Sequence, residues 1–342
     1  MKLQSLHIIS RLLLITALVA INACNKGTTI TRTTPVKIIA FDEDPRTLKA
    51  IDKGEIFGTV VQKPYEFGYQ SVKALRALIV ENKSEQDLGI PASKQKFIET
   101  LIIRKGEGEN YLEKCNEWKS SRKQKEPAGD SSTKTKLAFV TNGSADFWAY
   151  AEAGIAKAIA EFGDIEVEFK VGDGSAAKQR ELVEALLVRG VKGIAISPTN
   201  PKGQKDMLNE WAEKAALITV DSDAVDSNRK FYLGTDNVAA GRQAGELLKE
   251  ALPDGGKVMV FVGLGDQANA VERYQGLKEA VAGTKIEILD LRTDEMDFGK
   301  ARRNAEDTLT NYPDIAGMVG LWSYNGPLIL EAVRDKGLAD GK

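Results

Sequence analysis

Apolar runs of strand length alternate with amphipathic stretches over most of this chain. The runs cover 36–41, 56–61, 97–104, 137–141, 165–171, 193–197, 216–220, 257–262, 285–291 and 317–322. Between them lie segments such as PYEFGYQSVKALRALIVEN and AKQRELVEALLVRG, whose apolar residues recur at helical spacing. A chain patterned this way buries its apolar faces by laying helices on both sides of parallel sheets. Asp44 followed by Pro45 has the chemistry of a helix start, an acceptor at the cap and a ring that presets the first turn. A length of 342 residues accommodates two such α/β units, each with its own core.

Five of the runs stop on a polar side chain. VKIIAF ends on Asp42, IFGTVV on Gln62, KLAFV on Thr141, LITV on Asp221, and GMVGLW runs through Ser323 and Tyr324 to Asn325. In an open parallel sheet, ligands bind beyond the carboxyl ends of the strands. The repeated placement therefore points to one binding cleft.

Composition narrows the chemistry. With 47 basic and 49 acidic residues the net charge is −2, which gives no footprint for nucleic acid. The sole histidine is His7, in a segment with the character of a removable export signal. Without it, imidazole-based acid–base chemistry and metal ligation have no residue to rest on. Lys2 and Arg11 precede an apolar stretch, Leu12 to Ile21, that is too short to span a bilayer as a helix. It ends Ile21-Asn22-Ala23-Cys24, which resembles a bacterial lipobox. The expected organisation is thus a lipoprotein signal peptide at 1–23, lipidation of Cys24, and a Thr-rich tether over 24–35. The one other cysteine, Cys115, would remain a free thiol. Residues 119–135, KSSRKQKEPAGDSSTKT, have no apolar face and read as a linker.

From Lys136 onward the chain resembles a periplasmic sugar-binding protein of the ribose-binding type. KLAFVTNGSADFW resembles that family's first strand and aromatic-bearing loop. LLVRGVKGIAISPTNP, LITVDSD, YLGTDNVAAGRQAGELL and VFVGLGDQANAVERYQGL follow in the family's order. The chain then reaches GLADGK, where the family continues into a strand ending in Phe-Asp. That missing piece resembles VKIIAFDEDPRTLKAIDKGEIFGTVVQKPYEFGYQSVKAL, at the front. The resemblance therefore implies a circular permutation, with the 119–135 linker joining the family's usual termini. Extended, it reaches at most ~55–60 Å, enough to connect two ends of a compact protein. Exposed polar turns are where such relocation of the termini is tolerated.

The fold so implied is α/β: two Rossmann-like lobes with parallel sheets, the type I periplasmic-binding-protein fold in permuted order. Lobe one would comprise 63–93 and 136–235. Lobe two would comprise 36–62, 94–118 and 236–342. Three crossings would act as a hinge that closes on ligand. Asp221 and Asp42 match the family's sugar-binding carboxylates, and Arg273 matches an arginine that donates to sugar oxygens. Asn325 and Gln62 offer donor and acceptor together, as hydroxyls require. Phe147 and Trp148 match aromatics that cover a sugar's C–H face. Thr141 and Asn142 complete the first strand's end. Three positions depart from the family: Ser222 follows Asp221 where arginine is common, Ala145 replaces an asparagine, and Met296 (or Phe298) stands where an aromatic is expected.

Two rivals are weaker, and of these only the dinucleotide-dependent enzyme stays as an alternative of another class. Gly263-Leu264-Gly265-Asp266-Gln267-Ala268 fits the loose dinucleotide fingerprint, but the nearest suitable acid, Asp290, lies beyond the usual ~20 residues. A sugar-responsive repressor needs a DNA-binding helix-turn-helix where this chain has an export signal. The resemblance implies a monomer without cofactor or catalysis that holds one monosaccharide. Its partner would be an ABC importer permease, or alternatively a sensor receptor, and it would touch the membrane through the lipid anchor only.

Overall fold

In the computed structural model, residues 35–122 and 133–340 are described. The signal peptide, Cys24 and nearly all of the expected tether lie outside the described residues. Twelve strands and ten helices fall within them. Six strands form the sheet of lobe two, in the order β11 (Ile286–Thr293), β10 (Gly256–Val262), β12 (Ile315–Gly320), β1 (Lys37–Phe41), β2 (Gly58–Val61), β4 (Leu101–Arg104). The other six form the sheet of lobe one: β3 (Gln95–Phe97), β9 (Tyr232–Gly234), β8 (Ala216–Val220), β7 (Gly193–Ile196), β5 (Thr135–Val140), β6 (Ile165–Lys170). All pairings are parallel except β2 with β4. The central strands are buried on both faces, as parallel strands sandwiched by helices must be.

The earliest strand lies in the middle of its sheet. β1 pairs with β12, the last strand, on one side and with β2 on the other. Val36 N–H donates to the Leu338 carbonyl at 3.0 Å, so the start of β1 lies beside the chain that follows the final helix.

The helices are α1 (Pro45–Asp52), α2 (Pro64–Ile79), α3 (Gly108–Ser121), α4 (Phe147–Phe162), α5 (Ala176–Val188), α6 (Lys205–Ala212), α7 (Asn237–Ala251), α8 (Ala268–Val281), α9 (Phe298–Asn311) and α10 (Asn325–Asp335). Asp44 caps α1, its carboxylate accepting from the Arg46 N–H at 2.8 Å with Pro45 in the first turn. α2 follows β2 of lobe two yet packs against α4 on lobe one, so the chain crosses between lobes at 61–64.

Two expectations are corrected. The run 97–104 reads in the sequence as one strand of lobe two, but it is divided between the sheets. β3 pairs with β9 in lobe one and β4 with β2 in lobe two. Between them Ile98 N–H donates to the Gly234 carbonyl and Thr100 Oγ1 to Gln243 Oε1, which fixes a crossing at 97–101. The linker expected over 119–135 begins inside α3, which continues to Ser121. Ser120 and Ser121 turn their hydroxyls back onto the carbonyls of Asn116 and Trp118, so their polarity does not end the helix. At three residues, β9 is too short to read as an apolar run in the sequence.

Candidate functional site

The carboxyl ends of β1, β2, β8 and β9 bring buried polar groups from both lobes together. Asp42 and Asp221, the residues that directly follow β1 and β8, adopt left-handed backbone conformations with φ of 63° and 62°. Such conformations are uncommon outside glycine, and aspartate is among the residues that tolerate them. Each turns the chain sharply at the strand end and leaves a carboxyl buried there. Asp42 Oδ1 accepts from Gln62 Nε2 at 3.0 Å, and Gln62 Oε1 accepts from Thr235 Oγ1 at 2.9 Å. Thr235 follows β9, so this chain of bonds spans the two lobes.

Arg273, in the second turn of α8, is only 2% exposed. Its Nε donates to Asn237 Oδ1 at 3.0 Å, its Nη1 donates to the Leu321 carbonyl at 2.9 Å, and the guanidinium lies 4.8 Å over the Phe41 ring. Its charge acts on both aspartates. Burial raises the Asp42 carboxyl, while Arg273 and the Gln62 bond pull it back. Burial pushes Asp221 up to about 6, opposed by the hydroxyl of Ser197 at 2.9 Å and by Arg273, and reinforced by the charge of Asp42. Two acids from different sheets and one guanidinium thus share a single desolvated field.

Beside Asp221 a cavity of about 160 Å³ opens, lined by Ser222, Asn237, Asn269, Glu272 and Phe97 among others. That is well under the ~300 Å³ at the lower end for drug-sized ligands. Asn237 connects cavity and field, since its Nδ2 donates to Glu272 at 3.2 Å while its Oδ1 holds Arg273.

The remaining sequence-derived candidates sit differently. Trp148 is 4% exposed and packs edge-on against Phe139 and Phe147, with its indole N–H donated to Asn142 Oδ1 at 3.1 Å. It packs into the apolar core of lobe one, on the helix face that covers the sheet. Phe147 is half-buried against Phe67. Thr141 is fully buried and ties its loop, donating to the Gly143 carbonyl and accepting from the Gly172 N–H. Asn325 has both ends engaged: Oδ1 accepts from Trp322 N–H and Nδ2 donates to Asp294. Met296 is half exposed at a left-handed turn after β11, and Phe298 is exposed with its ring 4.7 Å from Tyr324.

Sequence reasoning passed over Ser197, Thr235, Asn237 and Asp294. Ser197 could have been found, since it ends the run at β7 as Asp221 ends β8. Thr235 and Asn237 carry no such signal, because they follow a three-residue strand. The glycine motif at 263–268 has a packing explanation: a Cβ on Gly263 would come within 2.1 Å of the Trp322 ring.

A family model described as a periplasmic binding protein domain matches residues 137–342. Among curated proteins, the ribose import binding protein RbsB of Escherichia coli (strain K12) is 29% identical over 160 residues, covering 46% of this chain and 53% of that protein. The D-ribose/D-allose-binding protein of Pseudomonas aeruginosa is 26% identical over 151 residues, 42% of this chain and 47% of its own length. The chain thus spans about half the length of the curated relatives it matches. A sugar-binding protein of a sugar ABC transporter from Bacillus halodurans superposes with a TM-score of 0.57 at 28% identity, covering 61% of this chain and 72% of that one. An ABC transporter solute-binding protein from Burkholderia graminis, solved with D-arabinose, superposes with a TM-score of 0.52 at 25% identity, covering 61% and 74%. The two-sheet architecture is that of type I periplasmic binding proteins, and with a family model matching more than half of its length this chain belongs to the periplasmic binding protein domain family.

Proposed function

We propose that this protein is a lipid-anchored, circularly permuted solute-binding protein that captures a monosaccharide between its lobes and delivers it to an ABC importer, without catalysis. One observation carries the ligand reading. Asp42 and Asp221 end strands of different lobes, are buried, and face the same buried guanidinium of Arg273. Carboxylate acceptors and guanidinium donors converging in a small desolvated space suit a molecule whose hydroxyls both give and take hydrogen bonds. Relatives named for ribose and allose and a neighbour solved with D-arabinose support the same class.

The permuted order is supported by what collinear comparison leaves out. The family match begins at residue 137, yet β1, β2 and β4 complete the sheet built by the matched β10, β11 and β12. A rearranged chain running 136–342 and then 36–118 is expected to fold and bind ligand as this one does. Failure of that chain to fold would argue that the present order is required. Anchoring is tested by acyl labelling in a bacterial host, which Cys24→Ala should abolish.

The decisive experiment is calorimetric titration of residues 25–342 against pentoses, hexoses, nucleosides and NAD. Saturable binding of one sugar, one per chain, is the expected result. Binding of NAD alone overturns the reading, as does a folded sample that binds no sugar.

A further inference from the structure

In the order of its described elements, the chain passes between the two sheets four times. Three passages are the crossings at 61–64, at 97–101 and at 234–237, the last leading from β9 of lobe one to α7, which packs on β1 and β2 of lobe two. The fourth leads from α3 to β5, and α3 is fastened to both lobes before the chain leaves it.

The N-terminal half of α3 is built into lobe two. The Asp52 carboxylate, at the end of α1, accepts from the N–H groups of Gly106, Gly108 and Glu109 at 2.8, 3.1 and 2.7 Å. These are donors that a helix start otherwise leaves unsatisfied. Gly108 sits so close to α1 that a Cβ there would come within 2.3 Å of the Leu48 carbonyl oxygen. Tyr111 and Cys115 are buried with Leu48 and Ile51 in one apolar core.

The C-terminal half of α3 is clamped to lobe one. The Trp118 ring stacks on Tyr65 of α2, with centroids 4.9 Å apart, and meets Tyr150 of α4 edge-on at 6.1 Å. Lys119 Nζ donates to Asp146 at 2.9 Å and lies 5.2 Å over the Tyr150 ring, and Arg122 stands 3.7 Å from Glu152. Tyr150 itself is buried within the apolar core of lobe two, although α4 belongs to lobe one. Asp146 and Tyr150 lie at the start of α4, beyond the carboxyl end of β5, so the clamp flanks the cleft. Swinging the lobes apart on this side must unstack Trp118 and withdraw Tyr150.

We propose that α3 is a strap across the flank of the cleft that restrains opening and thereby sets the apparent affinity for ligand. The restraint follows from the contacts themselves; its effect on affinity rests on the proposed binding function. A ligand that binds the closed state has an apparent affinity proportional to the fraction of protein already closed.

The test is an inter-lobe distance distribution in ligand-free protein, by pulsed electron resonance between labels at Val188→Cys on α5 and Thr310→Cys on α9. Both positions are exposed, Cys24 is replaced by Ser, and the native Cys115 is buried. Trp118→Ala should broaden the distribution to longer distances, raising the open-to-closed ratio by roughly tenfold, as loss of two aromatic contacts implies. Lys119→Glu, at a half-exposed position, should shift it the same way by about two- to fivefold, and adding Asp146→Lys should restore it. Should Trp118→Ala fail to fold, the charge pair decides. Unchanged distributions in the folded variants overturn the strap, whether or not any sugar binds. For a sugar that the parent chain binds, Kd should weaken by the factor by which the closed fraction falls; an unchanged Kd beside a shifted distribution overturns the link to affinity.

Discussion

Asp221 sets the pH behaviour expected of the site. Its carboxyl titrates at about 6 because burial outweighs the Ser197 bond and the Arg273 charge. Under the proposed sugar binding, a ligand hydroxyl that needs an ionised acceptor must displace the proton below that pH, so affinity is expected to fall as pH drops from 7 to 5. Titration calorimetry across that range checks it, and Asp221→Asn should lose both the affinity and the pH step. Arg273 is tied into the structure more deeply than a ligand contact alone requires. Arg273→Ala leaves the Leu321 carbonyl, Asn237 Oδ1 and two buried carboxyls without their cation, so it should cost about 3 kcal/mol or more of stability in a urea melt as well as binding. Arg273→Lys keeps the charge but not the fork, and should keep more stability than affinity.

At the scale of elements, strand-to-helix turns decide what each residue is for. Asp44 and Asp42 stand two residues apart, and only the first caps α1, which leaves the second to accept from Gln62 beyond the strand end. Asp44→Ala should cost about 1 kcal/mol without weakening ligand, by thermal melts and titration together. Trp148 and Phe147 open α4, and the sequence gives no means of telling which of two adjacent aromatics faces the sheet. The helix phase does: Trp148 is turned inward onto Phe139. Trp148→Ala is therefore expected to lose about 3–5 kcal/mol of stability, the cost of a cavity in the core, rather than to act as a selective binding mutant. That Asp42, Gln62 and Asp221 lie at strand ends is legible in the sequence, because a polar residue ending an apolar run is a local pattern. Asn237 and Thr235 were not, because their roles come from partners in other elements.

At the scale of the whole molecule, Asp42, Glu43 and Asp221 all have carboxyls raised by burial, Glu43 well above its usual value. A carboxyl that holds its proton more tightly when folded makes the native state bind more protons than the unfolded one. Stability contributed this way is present below the unfolded value and is lost as pH rises through the folded one. For Asp221 that window runs from 3.8 to about 6 and amounts to roughly 3 kcal/mol. Urea melts should accordingly weaken between pH 4 and 6, and Glu43→Gln should stabilise the protein near neutrality and flatten the slope above that range. Glu43 Oε2 is a buried oxygen with no hydrogen-bond partner, so the amide loses little by replacing it.

The sequence by itself determined the α/β class, the alternation of strands and helices, and the strand ends that carry Asp42, Gln62 and Asp221, since each is written in period, run length and a local change of polarity. Only the tertiary structure decided that 97–104 crosses between sheets, that β1 lies in the middle of a sheet beside β12, and that α3 binds both lobes. Those outcomes depend on pairings between residues far apart in the chain, where the energy lies in packing and hydrogen bonds to partners that no local window contains.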